Sequence, residues 1–162
     1  MSRLVLDTNC LIQIVSPRSK YHSLWDSFVR GENTLCVSNE IIEEYVEIMQ
    51  HLMGYAAAEY VVKTILNSRF TELIVPYYNF NLIEADKDDN KFVDCAIAAH
   101  AKCIVTNDHH YDVLKTIPFP KVEVVSLVDF LLLKKRNFGG KFQLKILKEN
   151  YYGLPYPLRR GF

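Results

Sequence analysis

The sequence lacks the features that define several broad classes of protein. None of its apolar runs approaches the roughly 18 uncharged residues of a membrane-spanning helix, and it contains no internal repeat and no low-complexity segment. With 162 residues, of which 49% are hydrophobic and 23% charged, it has enough apolar surface for one ordinary domain with a proper core. We therefore expect a folded domain that is not associated with a membrane, and we expect it in the cytoplasm.

The sequence also lacks the usual spacings of a disulfide framework or a zinc site. Its four cysteines form no C-x-x-C pair, and each lies in an apolar stretch, where cysteine behaves as a small hydrophobe. We interpret them as reduced core residues. The five histidines complete no tetrahedral ligand pattern. Only His109 and His110, beside Asp108, keep a zinc site open, and the alternative is an ordinary polar loop.

The chain has no net charge, but its charges are unevenly distributed. Residues 134–162 carry eight basic side chains and one acidic side chain, so this tail is +7 and the remainder of the chain is −7. The alternation of strand and helix patterns stops near Phe138, and we place the end of the main domain at Leu133. The prediction is a domain of residues 1–133 and a basic C-terminal extension of residues 134–162. The extension is a solvated tail, a contact for a partner or second copy, or a contact for RNA.

Short β-branched apolar runs alternate with longer helical patterns along the chain. The predicted strands are Leu4–Leu6, Thr34–Val37, Cys103–Thr106 and Val122–Val125, with Ile74–Val75 as a short addition. Because these runs are continuously apolar, we expect a sheet covered on both faces, as in parallel sheets with crossover helices. The predicted fold is α/β, with three α/β/α layers around a central parallel, Rossmann-like sheet.

The helical pattern after Ser38 is the clearest in the sequence. Apolar residues recur there at helical spacing, Ser38 is available as the N-cap, and Gly54 is expected to end the helix. A second helix is predicted over residues 55–67. A third is predicted over residues 90–101, capped by one of the two aspartates that precede it.

Four carboxylates lie beside apolar segments, where an isolated charge is unfavourable. Asp7 and Asp108 follow predicted strands, at the end of the sheet where open α/β folds bind ligands. Asp94 has apolar neighbours on its helix, and Glu44 borders the apolar arc of the helix after Ser38. Like charges about 4 Å apart repel by roughly 4 kcal/mol near a protein surface, so converging carboxylates either protonate or bind a cation. The pattern indicates a Mg²⁺ or Mn²⁺ site for phosphoryl transfer.

Single acidic residues also have ordinary structural explanations. An aspartate directly after a strand, such as Asp7, often caps a turn or helix. A buried Asp94 requires a cation or a strong hydrogen-bond donor, and Asn90 or Lys91 is the competing structural partner. The coincidence of several such carboxylates favours the metal site.

Together these residues resemble the PIN-domain family, metal-dependent ribonucleases that are common among bacterial toxins of toxin–antitoxin pairs. The resemblance covers roughly residues 3–133 and rests on motifs in a fixed order. These are LVLDTN (residues 4–9), SNEIIEEY (38–45), DDNKFVD (88–94) and VTND (105–108).

The resemblance implies roles for individual residues. It implies a catalytic acidic quartet of Asp7, Glu44, Asp94 and Asp108. Asp7, Asp94 and Asp108 would bind one or two Mg²⁺ or Mn²⁺ ions, and Glu44 would position the attacking water or complete a second ion site. Asn9, Asp89 and Thr106 would contact the substrate or support the ligands, and Asp89 competes with Asp94 as the ligand on its helix.

The predicted function is hydrolysis of RNA phosphodiester bonds by the toxin of a toxin–antitoxin pair. The expected partners are the RNA substrate, a second copy in a homodimer, and an antitoxin that inserts a basic side chain into the acidic pocket.

Two alternatives to the ribonuclease remain. A phosphatase-like enzyme would use Asp7 as phosphate acceptor, but dehalogenase-type phosphatases need a second aspartate where Asn9 stands. A non-catalytic nucleic-acid-binding module would keep a vestigial acidic site and stack bases on aromatic residues of the tail. Those aromatic residues are Tyr151, Tyr152, Tyr156 and Phe162.

Overall fold

The structure is a computed structural model and describes residues 2–138. The remaining residues, which hold most of the predicted basic extension and its aromatic side chains, lie outside this described part. Five strands form one parallel sheet in the order β3-β2-β1-β4-β5. Their bounds are Ser2–Leu6 (β1), Asn33–Val37 (β2), Thr71–Leu73 (β3), Cys103–Val105 (β4) and Val124–Val125 (β5).

Helices cover both faces of this sheet. Leu4, Val5 and Leu6 are consecutive in β1 and are all buried, although successive side chains of a strand point to opposite faces. The three-layer prediction is thereby confirmed. The helices are Thr8–Val15 (α1), His22–Val29 (α2), Asn39–Met53 (α3), Tyr55–Asn67 (α4), Asn90–Ala98 (α5) and Leu127–Phe138 (α6), with a 3₁₀ helix over His109–Thr116.

The predicted bounds of α3 and α4 are confirmed. The Ser38 side chain accepts a hydrogen bond from the Ile41 N–H at 3.3 Å, which satisfies one free donor at the start of α3. Gly54 ends that helix with a φ of 83°, a left-handed conformation that glycine adopts without steric cost. Helix α5 ends at Ala98, three residues earlier than expected, and His100 then adopts a φ of 49°.

The predicted strand at Ile74–Val75 is wrong in position. The strand is β3, Thr71–Leu73, and its last residue Leu73 pairs with Val37, the last residue of β2. Beyond Val37 the chain turns into α3, so the ladder has no further partner strand. Ile74 still donates one backbone hydrogen bond to the Val37 carbonyl at 2.7 Å.

The cysteines are core residues, as the sequence predicts. All four cysteines are buried and unpaired. No helix within residues 2–138 combines the length and apolar character needed to cross a bilayer.

The order of the strands creates a crevice beside β1. The chain passes from β1 through β2 to the edge strand β3, then returns to place β4 on the other side of β1. Connections after β1 and β4 therefore leave in opposite directions, and ligands of open α/β sheets bind at such a switch point.

Contacts divide the chain into one unit that ends at Leu127 and another that begins at Val128. The domain boundary predicted at Leu133 falls inside α6 and remains a prediction.

Candidate active site

Acidic side chains from separate segments meet in one cleft of about 700 Å³ at the carboxyl ends of the strands. Among residues 2–138, its walls carry ten carboxylates but only two lysines, Lys87 and Lys91. The carboxylates are Asp7, Glu40, Glu43, Glu44, Glu47, Asp86, Asp88, Asp89, Asp94 and Asp108. All four members of the predicted quartet therefore line the same cleft, and the excess of negative charge favours cations there.

Asp7 lies at the bottom of the crevice between β1 and β4. Asp7 is only 6% exposed, and its Oδ2 accepts a hydrogen bond from the Thr106 hydroxyl at 2.9 Å. Burial raises the pKa of Asp7 from 3.8 to about 6; the Thr106 bond opposes this, and the charges of Asp89 and Glu44 add to it. The protein thus holds a carboxylate where its charge is disfavoured unless a cation binds.

Thr106 connects Asp7 to Asp108. Its hydroxyl donates to Asp7 and accepts from the backbone N–H of Asp108 at 3.0 Å. The Asp108 carboxylate accepts from the His110 N–H at 2.8 Å and so caps the 3₁₀ helix. These contacts orient two predicted ligands at once, and the supporting role of Thr106 remains a prediction.

Glu44 is held by two neighbours. Its Oε1 accepts a hydrogen bond from the Thr8 hydroxyl at 2.5 Å, and its Oε2 forms an ion pair with Lys91 of α5. The next residue, Tyr45, is fully buried, and its hydroxyl donates to the Leu6 carbonyl at the end of β1. This bond anchors α3 beside Asp7 and thereby places Glu44 in the cleft.

Asp89 occupies the N-cap position of α5 without capping it through its side chain. Its carboxylate accepts from the Tyr111 hydroxyl at 3.2 Å and lies 3.3 Å from Nδ1 of His110. Burial raises the pKa of Asp89, and the charges of Asp86 and Asp108 raise it further. Because Asp89 also raises the pKa of Asp7, it interacts electrostatically with both strand-end aspartates.

Asp94 has a different environment. It is 5% exposed, and its Oδ1 accepts a hydrogen bond from the backbone N–H of Phe80 at 2.9 Å. Burial raises the pKa of Asp94, the Phe80 bond opposes this, and the neighbouring charge of Glu40 adds to it. Asp94 therefore has a structural donor, and its place in the quartet remains a prediction.

The donor to Asp94 is a backbone group that the sequence does not reveal. Asn90 and Lys91 were the structural partners expected from the sequence. Instead, the Asn90 side chain bonds to the backbone of Ile83, and Lys91 pairs with Glu44. The Lys91–Glu44 pair joins two residues far apart in sequence, so helical spacing alone could not predict it.

Asp86 also lines the cleft and was not among the predicted ligands, whereas the sequence kept His110 open only as a zinc ligand. Asp86, Asp89 and His110 each present a ligand atom, and these atoms lie within 4.8 Å of one another. The signal in the sequence for His110 is its position two residues after Asp108.

Asn9, predicted as a substrate or supporting contact, is exposed and lines the cleft.

Comparisons with known proteins agree with this architecture. A family model described as PIN domain matches residues 3–110, whereas no curated protein sequence matches the chain. VapBC2 from Rickettsia felis, bound to a DNA fragment from its promoter, gives a TM-score of 0.55 at 16% identity over 76% of this chain and 98% of that chain. DNA-bound VapBC from Salmonella typhimurium gives a TM-score of 0.52 at 12% sequence identity, over 78% of this chain and 99% of that chain. At these identities the similarity concerns the fold.

Proposed function

The chain belongs to the PIN domain family, and from this premise we propose that it is a divalent-metal-dependent ribonuclease that acts as a toxin in the cytoplasm. The observation that carries the proposal is the meeting of Asp7, Glu44 and Asp108 in one cleft at the switch point of the sheet. Asp94 of α5, or Asp89 at the N-cap of α5, completes this group of carboxylates. Isolated carboxylates on the surface would carry no such inference.

The donor set fits a hard divalent cation. The residues that line the cleft with Asp7 are mainly acidic, and Mg²⁺ and Mn²⁺ prefer carboxylate oxygens as ligands. Burial and the charges of Asp89 and Glu44 raise the pKa of Asp7, and the Thr106 hydrogen bond offsets only part of this shift, which favours a cation beside the ionised carboxylate. We propose Asp7 and Asp108 as ligands, together with Asp94, which the sequence favours, or Asp89, which interacts with both strand-end aspartates. A bound ion would neutralise phosphate charge and lower the pKa of an attacking water.

The side chains of the cleft would orient these groups before substrate arrives. Thr106 fixes the carboxylate of Asp7 and the backbone of Asp108 through one hydroxyl. Thr8 and Lys91 hold Glu44 from two sides, so its carboxylate would accept a hydrogen bond from the attacking water in a defined direction. Asn9 would contact the ribose or phosphate from the exposed rim.

The test is cleavage of a mixed RNA pool by the purified full chain, with fragment ends mapped. We expect cleavage with Mg²⁺ or Mn²⁺, none with a chelator, and none by Asp7→Asn at the same protein concentration. An Asp7→Asn variant that cuts at the wild-type rate would overturn the proposal. Absence of cleavage with binding retained would favour the non-catalytic alternative.

A separate experiment tests the phosphatase alternative. Asp7 is nearly buried and already accepts a hydrogen bond from Thr106, which is unfavourable for a residue that must attack phosphorus. A fluoride–metal phosphoryl mimic trapped on Asp7 would support the phosphatase instead.

We further propose an antitoxin partner and a homodimer. Two similar solved structures are of DNA-bound VapBC, and the family resemblance implies an antitoxin that places a basic side chain in the acidic cleft. The charge of the cleft is complementary to such a side chain. Sedimentation of the purified chain, alone and with a candidate antitoxin, tests both proposals.

A further inference from the structure

A second groove adjoins the acidic cleft. It has a volume of about 480 Å³ and lies between the segment after β3 and helix α5. Asp94 lines both the groove and the acidic cleft. The other residues along the groove are mainly aliphatic or aromatic, among them Val75, Tyr77, Tyr78, Phe80 and Ile97.

The segment over residues 77–81 forms the partition between the two spaces. Asn79 and Asn81 line the acidic cleft, whereas Tyr77, Tyr78 and Phe80 line the groove. One short stretch of chain therefore presents amides to the carboxylate side and aromatic rings to the other side. A ligand that follows the chain surface out of the cleft meets these rings next.

Two of the rings, those of Tyr77 and Tyr78, are open to solvent. Tyr77 is 96% exposed and Tyr78 is 67% exposed. The Tyr78 ring contacts the Phe80 ring edge-on, with centroids 4.8 Å apart and an interplanar angle of 65°. Phe80 is attached through its backbone N–H to Asp94. The Tyr78–Phe80 pair is therefore connected, through the backbone of Phe80, to Asp94 of the acidic cleft.

We propose that Tyr77, Tyr78 and Phe80 form a stacking subsite for an unpaired base of the RNA strand whose phosphate enters the acidic cleft. This inference rests on the proposed ribonuclease function. Exposed aromatic faces bind unstacked bases of single strands, and bases within a duplex are unavailable to them. Among the described residues along this groove there is no lysine or arginine, so a base fits it better than a phosphate.

Binding of a fluorescein-labelled single-stranded oligoribonucleotide of mixed sequence tests the subsite. Anisotropy would be measured in an Asp7→Asn background, so that cleavage does not consume the probe. We expect the double variant Tyr77→Ala/Tyr78→Ala to bind roughly 5- to 100-fold more weakly, as expected for the loss of base–aromatic stacking. Its salt dependence should be unchanged because no charge is removed.

A matched control and a second substrate sharpen this test. Tyr55→Ala removes a ring of equal exposure, 67%, from α4, away from both the cleft and the groove. It should leave the affinity unchanged. An oligonucleotide with one abasic position beside the cleavage site should bind more weakly to the protein with both tyrosines. It should show little further loss with the double variant.

The outcomes separate the subsite from the enzyme. If the wild-type chain cleaves RNA but the double variant binds the probe as tightly as Tyr55→Ala does, the subsite is refuted and the ribonuclease stands. If RNA affinity is unchanged and sedimentation shows a change from dimer to monomer, the surface is a contact between copies, which also refutes the subsite. If the wild-type chain neither binds nor cleaves RNA, both proposals fail.

Discussion

At the residue scale, the site depends on carboxylates whose charge the fold disfavours. Asp7 shows this most clearly, since it is nearly buried and is surrounded by further acidic groups. Its hydrogen bond from Thr106 offsets only part of the cost of burial, and the pKa stays near 6. Such an arrangement reduces stability without a cation and increases affinity for one, because binding removes the repulsion.

The first prediction concerns Asp7→Asn in metal-free buffer. Because the folded state binds the Asp7 proton more tightly than the unfolded state does, the free energy of unfolding falls as pH rises from about 4 through about 6. The free energy of unfolding of Asp7→Asn does not fall in this way, because asparagine does not titrate. The variant should be more stable than wild type by about 2 to 3 kcal/mol at pH 7, from a pKa difference of about 2, and not below about pH 4. Urea unfolding measured at both pH values checks this.

A control for this prediction is Asp112→Asn. Asp112 is exposed, and its hydrogen bonds with Lys115 and His109 hold its pKa below the ordinary value. Replacement there should give no gain in stability at neutral pH. Equal gains for both variants would mean that a general reduction of negative charge, and not the burial of Asp7, is responsible.

The second prediction compares Asp89→Asn with Asp94→Asn. Of these two residues, Asp89 interacts electrostatically with Asp7 and Asp108, whereas the neighbouring charge that acts on Asp94 is that of Glu40. We expect Asp89→Asn to weaken Mn²⁺ binding at least about tenfold, the lower end of the cost seen even for supporting groups of metal sites, and Asp94→Asn to weaken it less. The Mn²⁺-induced increase in Tm reports the affinity. The reverse order would assign the third ligand to Asp94.

At the scale of the elements, the proposed acidic residues lie after strands β1 and β4, on helices α3 and α5, or at the N-cap of α5. Asp7 follows β1, and Asp108 follows β4 after two polar residues. Glu44 depends on α3, which Ser38 caps and the Tyr45 hydroxyl ties to β1. Asp89 depends on the start of α5. The cleft therefore forms only when α3 and α5 pack in their correct positions against the sheet.

The third prediction tests the start of α3. Ser38→Ala removes the side-chain acceptor of the Ile41 N–H and should lower the free energy of unfolding by about 1 kcal/mol. Cleavage by the folded variant should fall only slightly, since the Tyr45 bond to Leu6 still holds the helix. Denaturant unfolding and a cleavage assay below the transition provide the two measurements. Ser38→Thr, which retains a capping hydroxyl without adding a charge, is the matched control.

At the scale of the whole molecule, charge is divided between an acidic cleft and a basic tail. Residues 134–162 carry a charge of +7 and the rest of the chain −7, while the cleft concentrates carboxylates from within residues 7–108. The proposed catalytic residues are thus confined to the domain that the sequence assigns to residues 1–133. The role of the tail stays open among solvation, partner contact and RNA contact.

The fourth prediction concerns a chain that ends at Leu133. It should retain metal-dependent cleavage, because every proposed ligand precedes that position. If the tail contacts RNA, truncation should reduce the slope of log affinity against log salt by about 0.7 for each lost phosphate contact. A second chain that ends at Phe138 keeps all of α6 and controls for damage to that helix. Loss of cleavage by both folded chains would place part of the site in the tail.

The sequence by itself determined the fold class, the bounds of α3 and α4 and the candidate carboxylates. Continuous apolar runs indicated a sheet covered on both faces, and the Ser38 and Gly54 signals marked the ends of α3. These signals are local, because they depend on propensity, periodicity and capping within a few residues. The Ile74–Val75 error arose where the end of a strand depended on its partner β2, which no local pattern encodes.

The tertiary structure alone decided which charged groups interact. It paired Lys91 with Glu44, gave Asp94 a backbone donor at Phe80, and brought Asp89 into the electrostatic environment of Asp7 and Asp108. It also set the aromatic segment over residues 77–81 beside the cleft. Charge interactions and burial depend on distances of a few ångströms between segments that are far apart in sequence, so they are defined only once the chain has folded.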